Sequence, residues 1–372
     1  MKKVLFCRSN PIDPDPRVEK EAEALANYGH QVQIVAWDRT AALPTTEHRE
    51  KYTIHRLAIK SGYAEGMANL PALIWWEMGL LFWLLRKGKS FDVIHACDFD
   101  TILPALCCKW LYKKKIVYDI FDFYADHLRR TPELIKDWIR ILDYFAVRSA
   151  DSVIIVDDSR REQIKPANPN QVTVIYNSPG DVFPQLQGRR DQLGENLRLV
   201  YVGLLQVERG LLELLQVLNS HPSWHLDIAG FGGDQKVIME AAQQIENIKW
   251  HGRIPYQKTL KLTAGCDVSI ATYDPSIENH RYASPNKIFE AMMLSKPVIV
   301  AHKTNMDEII RRWNCGLVVD YGDPVDLERA IIRLDKNPSL RRELGKNGRQ
   351  AYQREYSWVK MEKRLIHLYR SL

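Results

Sequence analysis

Ser284-Pro285-Asn286-Lys287, with Glu290 three residues on, is the most chemically informative run in this 372-residue chain. Ser284-Pro285 reads as a helix start, serine at the cap and proline at the first helical position. The free amides at such an end attract anions. Lys287 adds a full positive charge one turn in, and Glu290 shares its helix face. A carboxylate placed there accepts two hydrogen bonds from a ribose diol. Together these residues compose a site for a nucleoside diphosphate. The plainer alternative is an ordinary capped helix with a surface Lys–Glu pair.

A second candidate is Gly203-Leu204-Leu205-Gln206-Val207-Glu208-Arg209-Gly210. A strand ends at Gly203 and a helix starts near Gly210. Arg209 therefore sits at a strand-to-helix turn, where a guanidinium reaches a diphosphate with planar, charge-assisted bonds. Alone, it reads equally well as a surface arginine.

The elements that must position these residues alternate along the chain. Val4–Cys7 is a strand and Val18–Tyr28 a helix, followed by strands at Val32–Trp37, Tyr52–Ile59, Asp92–Ala96, Lys115–Ile120, Ser152–Val156 and Val172–Tyr176. Helical spacing separates most of them, which predicts a parallel sheet with helices on both faces. The pattern loosens at Asn177–Asn196, a linker rich in proline and glycine. It restarts with strands at Leu199–Gly203, Trp224–Ala229, Ile248–Trp250, Val268–Ala271, Pro297–Val300 and Leu317–Val319, and a helix at Leu211–Leu218. From Pro324 the pattern is helical, broken near Asn337-Pro338 and Tyr356-Ser357. The chain is thus α/β, with two doubly wound, Rossmann-like halves. Ligands of such sheets sit beyond the carboxyl ends of the strands, so the cleft between two sheets is the expected site.

Composition bounds the reading. A 45% hydrophobic and 26% charged chain is neither disordered nor a disulfide-stapled miniprotein. The net charge of +6 is spread out, which argues against a dedicated nucleic-acid binder. Among six cysteines no pair has the spacing of a zinc or redox site, and a reducing compartment is the simplest reading. No export signal is visible, since the first apolar run is too short for one. Leu70–Leu85 is almost wholly apolar, carries Trp75, Trp76 and Trp83, and ends in Arg86-Lys87-Gly88-Lys89. It is too short and broken to span a membrane. It reads either as a helix packed on the sheet or, with the lysines of 109–115, as a contact for an anionic membrane surface at 70–89 and 109–115.

These segments resemble family 4 (group 1) glycosyltransferases, retaining nucleotide-sugar enzymes with the GT-B fold, over nearly the whole chain. Asp15-Pro16-Arg17-Val18 with Gly29-His30-Gln31-Val32 looks like the family's first helix and second strand. Asp92-Val93-Ile94-His95-Ala96-Cys97-Asp98 resembles its fourth-strand motif, and Tyr201-Val202-Gly203 with Glu208-Arg209-Gly210 its diphosphate turn. Ala229-Gly230-Phe231-Gly232-Gly233 resembles a glycine loop near the nucleotide, and His251-Gly252-Arg253-Ile254 the turn whose backbone reads the base. Tyr356-Ser357-Trp358 opens the family's last helix, which crosses back onto the first domain.

The resemblance implies an N-terminal, acceptor-side domain at 1–180, completed by 356–372, and a nucleotide-sugar domain at 181–355. It implies hexosyl transfer from a UDP- or GDP-sugar to the hydroxyl of a sugar or lipid-linked acceptor, with retention, in polysaccharide, glycolipid or cell-surface glycan synthesis. It implies no cofactor and no metal, with basic side chains and helix amides stabilising the leaving diphosphate. The place is cytoplasmic, peripheral on the inner face of the membrane if 70–89 and 109–115 meet it. Carried over by position, Gly203, Arg209, Arg253, Ile254, Ser284, Pro285, Asn286 and Lys287 hold the nucleotide diphosphate and Glu290 the ribose.

Departures fall in the sugar-contacting half. Tyr282 stands where the family often has a first glutamate, Leu204 where many members have arginine, and Phe121 where many have a histidine. Asp122 is the nearest polar substitute, with His95 and Asp98 as helpers, and these three are the candidate catalytic residues. The alternative reading is a catalytically silent GT-B subunit that binds nucleotide or a partner. A nicotinamide-dependent dehydrogenase is disfavoured, because Arg8-Ser9-Asn10-Pro11 follows the first strand where a glycine fingerprint belongs.

Overall fold

A computed structural model of the chain describes residues 1–62, 69–127, 131–186 and 196–372. They divide into two units, residues 1–176 with 361–372, and residues 177–360. The sequence reading places these divisions at 180 and 356.

Unit 1 runs β1 (Lys3–Arg8), α1 (Pro16–Asn27), β2 (Gln31–Asp38), β3 (Thr46–His48), β4 (Tyr52–Ala58), α2 (Leu70–Lys87), β5 (Val93–Cys97), α3 (Phe99–Tyr112), β6 (Lys115–Ile120), α4 (Tyr124–His127), α5 (Glu133–Ser149), β7 (Ser152–Ile155), α6 (Arg161–Ile164) and β8 (Val172–Val174). Its sheet has the order β3-β4-β2-β1-β5-β6-β7-β8, and every pairing is parallel except the edge pair β3–β4. Strands such as Val4–Cys7 and Ile116–Ile120 are buried on both faces, which is why they read as apolar runs, broken in the second only by Asp119. Right-handed crossovers put α2, α3 and α5, which connect strands in one direction across the sheet, on one face. Helix α1 lies on the other.

Unit 2 runs α7 (Phe183–Leu186), β9 (Arg198–Leu204), α8 (Leu211–Asn219), β10 (His225–Phe231), α9 (Gln235–Ala242), β11 (Ile248–Trp250), α10 (Tyr256–Ala264), β12 (Val268–Ala271), α11 (Glu278–Arg281), α12 (Asn286–Met293), β13 (Val298–Ala301), α13 (Asn305–Trp313), β14 (Gly316–Val319), α14 (Pro324–Lys336) and α15 (Pro338–Ala351). Its all-parallel sheet has the order β11-β10-β9-β12-β13-β14. Leu199, Tyr201, Leu214, Leu218, Ile228 and Ile270 centre its core. Of the expected linker, residues 187–195, Gly188 among them, lie outside the described residues.

The last helix, α16 (Trp358–Ser371), begins at the end of unit 2 and packs Met361, Leu365, Leu368 and Tyr369 into unit 1, on the α1 face of the sheet. There the Tyr369 hydroxyl lies 2.8 Å from His95 Nδ1, and the His95 ring stacks on Phe6. A short antiparallel β3 and the four-residue helices are the elements that the sequence pattern does not foresee.

Candidate functional site

In unit 2 the expected residues gather at the carboxyl ends of β9 and β12. Strand β9 reaches Leu204, and a single turn at Val207–Arg209 leads to Gly210, whose φ of 67° opens α8. A Cβ at Gly210 would lie 2.5 Å from Thr272 Oγ1, so the turn needs glycine. Thr272 in turn donates to the Arg209 carbonyl at 3.0 Å. The Arg209 guanidinium stacks 3.8 Å over the Tyr273 ring and bonds Gln206 Oε1. It is held, not loose on the surface.

Lys287 approaches from α12. Its Nζ sits 3.8 Å above the Tyr201 ring centroid and would be 3.1 Å from a Cβ at Gly203. Gly203 thus leaves room for the ammonium. The lysine is 8% exposed, and its Nζ has no hydrogen-bond partner. Burial pushes its pKa well below the ordinary lysine range, and Arg209 adds to this against the pull of Glu290. A buried amine beside a cationic guanidinium, with no acceptor on its nitrogen, is chemically suited to receive an anion. Ser284 Oγ is buried and unpartnered too.

Helix α12 corrects one expectation. Pro285, at ψ 143°, is still extended and occupies the cap position, so the helix begins at Asn286 and Ser284 does not cap it. No side chain caps this end, which leaves the helix start open to an external acceptor. Glu290 is buried and accepts a hydrogen bond from the Tyr256 hydroxyl, whose pKa burial and Glu290 both raise. Since Lys287 and Glu290 are both buried, the surface-pair alternative falls. Glycines 230 and 252 meet at the β10 end, where Gly230 N donates to Gly252 O at 3.0 Å. Beyond them Arg253 stacks 4.7 Å over an exposed Phe231, and Ile254 follows, half-buried. Tyr282 closes α11 and Asn286 opens α12.

In unit 1 the strand ends of β1, β5 and β6 bring Arg8, Asp98, Phe121 and Asp122 together. Asp98 has the unusual φ of 67°, and its Oδ1 accepts the Phe121 amide at 2.8 Å. Its other oxygen pairs with Arg8, which also bonds Asp15 at 2.9 Å. Burial opposes the charge of Arg8, but Asp15 and Asp98 outweigh it and hold the guanidinium protonated. Burial, with help from Asp100, pushes the Asp98 carboxyl up to about 7. Phe121 fills the expected histidine position and carries Arg8 4.2 Å above its ring. Asp122 is half exposed and accepts from the buried Arg160 at 2.8 Å.

His95 corrects a second expectation. Rather than helping Asp122, it is wholly enclosed between Phe6 and Tyr369, 3.5 Å from Asp119. Burial pushes its pKa down, so the ring is neutral. Asp119 is gripped by Arg17 at 2.9 Å, which outweighs burial and keeps the carboxylate charged. Burial pushes neighbouring Glu21 up to about 8, against Arg17. This is a structural ion network under α16. His95, Cys97 and Asp119 also form the one close histidine–cysteine–carboxylate group among the described residues, and it lies inside the core. None of its members belongs to the nucleotide end of unit 2.

The face of α5 is the feature that sequence reading misses. Its apolar stripe, Leu134 to Phe145, points to solvent. Spacing reveals the stripe but not which way it faces.

Known proteins were compared with this chain. The profile described as Glycosyl transferases group 1 matches residues 188–351, and Glycosyltransferase Family 4 matches residues 17–178. The capsular polysaccharide biosynthesis glycosyltransferase CapM of Staphylococcus aureus is 25% identical over 60% of this chain and 63% of its own. Among solved structures, sucrose-phosphate synthase from Thermosynechococcus elongatus superimposes with a TM-score of 0.81 at 17% identity, covering 100% of this chain and 99% of its own. HepE of Anabaena, in complex with UDP and glucose, gives a TM-score of 0.76 at 16% identity over 100% of both chains. Two parallel-sheet α/β units in this connectivity are the GT-B fold. With both profiles matching in order, one on each unit, the chain belongs to the family 4, group 1 glycosyltransferases.

Proposed function

We propose that unit 2 binds a UDP- or GDP-sugar and that unit 1 presents the acceptor, so that the sugar passes to an acceptor hydroxyl with its anomeric configuration retained. The observation that carries this is the buried Lys287 ammonium with no acceptor, beside Arg209 and the uncapped start of α12. As the bond from the anomeric carbon to the diphosphate breaks, its electron pair goes to the leaving phosphate oxygen. Lys287, Arg209, Ser284 and the first α12 amides then meet the growing charge already oriented, so little reorganisation is needed. Gly203, at the end of β9, gives the diphosphate access, with Pro285 and Asn286 at the start of α12. Glu290 takes the ribose hydroxyls, and the backbone at Arg253 and Ile254 takes the base.

In unit 1, Asp122 and Asp98 face the acceptor hydroxyl. In this reading the leaving group is stabilised by the protein's own cations and amides, with no metal or cofactor required. Relatives support a product among polysaccharides, glycolipids or cell-surface glycans; CapM is by name a glycosyltransferase of capsular polysaccharide biosynthesis, and HepE was solved with UDP and glucose. Nothing in the comparisons favours the silent-subunit alternative. No described helix is long and apolar enough to cross a membrane. Six free thiols support a reducing, cytoplasmic setting, with residues 70–89 and 109–115 meeting an anionic membrane surface from its inner side.

A thermal-shift and product screen over UDP-, GDP-, ADP- and TDP-sugars tests the reading, because a ligand that binds only the folded chain raises its melting point. One donor should stabilise the protein and be consumed. Full activity in both Arg209→Ala and Glu290→Ala would sink the site.

A further inference from the structure

Helix α5 is built inside out. An amphipathic helix on a sheet normally turns its apolar stripe inward. Here the inward side carries Asp143, which takes the Tyr118 hydroxyl at 2.7 Å, and Arg140, which reaches Asp126. Only small or short apolar groups, Ala146 and Val147, are buried with them. The outward side carries Leu134, Ile135, Trp138, Ile141, Leu142 and Phe145 in one continuous stripe, with Trp138 62% exposed.

Helix α2, on the same sheet face, behaves similarly on its outer side. Trp76, Leu80 and Leu84 pack inward, while Trp75 next to them is 69% exposed, in line with Ile74, Met78 and Phe82. Helix α3 lies between and ends in exposed Trp110 and Leu111, and the Trp110 ring is 6.0 Å from Phe145. Fourteen of the twenty-two exposed large apolar side chains of the described residues lie on these three helices. A concentration of this kind marks a partner surface, not scattered surface hydrophobics.

Charge selects the partner. Arg86, Lys87 and Lys89 close α2, and Lys113 and Lys114 follow α3; none enters an ion pair among the described residues. Arg148 is exposed in the last turn of α5. An apolar band bordered by uncompensated cations, with tryptophans along it, complements a bilayer whose head groups are anionic and whose interior is apolar. A protein partner would have to bring an equally wide apolar face and a matching acidic border.

We propose that α2, the end of α3 and α5 form one docking face for an anionic lipid bilayer, with the α5 stripe as essential as α2. This extends the membrane contact proposed for 70–89 and 109–115, and it rests on that contact.

The test uses the full chain and sedimentation with vesicles of phosphatidylcholine containing about 30 mol% phosphatidylglycerol, against pure phosphatidylcholine. The protein should sediment with the anionic vesicles, and added salt should release much of it. Trp138→Glu with Ile141→Glu on α5 should lower vesicle affinity at least about tenfold, and so should Trp75→Glu with Phe82→Glu on α2. Val325→Glu, an exposed position in unit 2, should bind as the wild type does. All these sites are exposed, and an unchanged melting point in each variant confirms the fold. Wild-type binding by the α5 pair, alongside loss in the α2 pair, overturns this proposal and leaves the narrower contact standing. No binding by the wild type removes both. A lipid-free dimer that Trp138→Glu splits, with no vesicle binding, overturns it in favour of a protein interface.

Discussion

The two units present opposite electrostatics at the carboxyl ends of their strands. In unit 2, Lys287 Nζ and Ser284 Oγ are buried with no partner, and Arg209 is the lysine's cationic neighbour. In unit 1, three arginines near the equivalent edge are matched: Arg8 by Asp15 and Asp98, Arg17 by Asp119, Arg160 by Asp122. Unit 2 thus carries a cationic pair that the proposed diphosphate would satisfy, whereas the cations named in unit 1 are paired with carboxylates. The difference is the one the proposed division of labour requires, a charged leaving group on one unit and a neutral nucleophile on the other.

The sharpest way to break this contrast is Lys287→Met. If the lysine meets charge that develops at the leaving phosphate, kcat/KM should fall about 10²- to 10³-fold. A steady-state assay with the preferred donor reads it; a change under threefold would mean the lysine is structural. Next, Asp122→Asn should lower kcat about 10- to 100-fold while the donor's dissociation constant stays put, because its unit handles the acceptor. A weakened donor affinity would contradict the division of labour. Glu290→Gln should raise the donor's KM about tenfold, consistent with one lost charge-assisted bond to ribose.

A smaller effect follows from the depressed lysine pKa. A bound diphosphate beside it would raise that pKa again, so donor binding should be accompanied by net proton uptake. Calorimetry in buffers of different ionisation enthalpy measures this, and Lys287→Met should abolish it. The smallest expected effect concerns stability. Unit 1 holds several buried or half-buried carboxyls pushed up by desolvation, Asp98, Asp143 and Glu77 to about 7 and Glu21 to about 8. A carboxyl raised on folding stabilises fully below its unfolded pKa of about 4, and that contribution is lost as pH rises through the folded value. Unit 1 should therefore lose melting temperature between about pH 5 and pH 8 more than unit 2 does, and Asp143→Asn should flatten part of the slope. Scanning calorimetry with a probe in each unit would show equal slopes if the contrast is wrong.

How far the sequence revealed this depends on which kind of information each feature needed. Strands such as β1, β5 and β6 were legible because parallel strands buried on both faces are mostly apolar, with His95 and Asp119 the buried polar exceptions. Strand β3 was not, being three residues of polar edge. Lys287, Arg209 and Glu290 were legible as neighbours because helix spacing joins the first and last and the strand-to-helix turn supplies the arginine. His95 was misread because its motif fixes the strand but says nothing of which face the side chain takes. It points to the α1 side, where Glu21, Asp119 and Tyr369 wait. Ser284 was misread by one residue, since Pro285 suits either the cap or the first turn. The stripe of α5 was visible as a pattern, yet only the sheet's position tells inside from outside.

Helix α16 carries a consequence for how the chain is made. Its Tyr369 completes a buried network whose other members, Arg17, Glu21, His95 and Asp119, are translated far earlier. Unit 2 is synthesised in between, as a continuous stretch, and can close as soon as it emerges. The first half of the protein must wait, the strip beside α1 still uncovered, until the whole of the second has been translated. The order in which the units finish folding is then the reverse of the order in which they begin to be made.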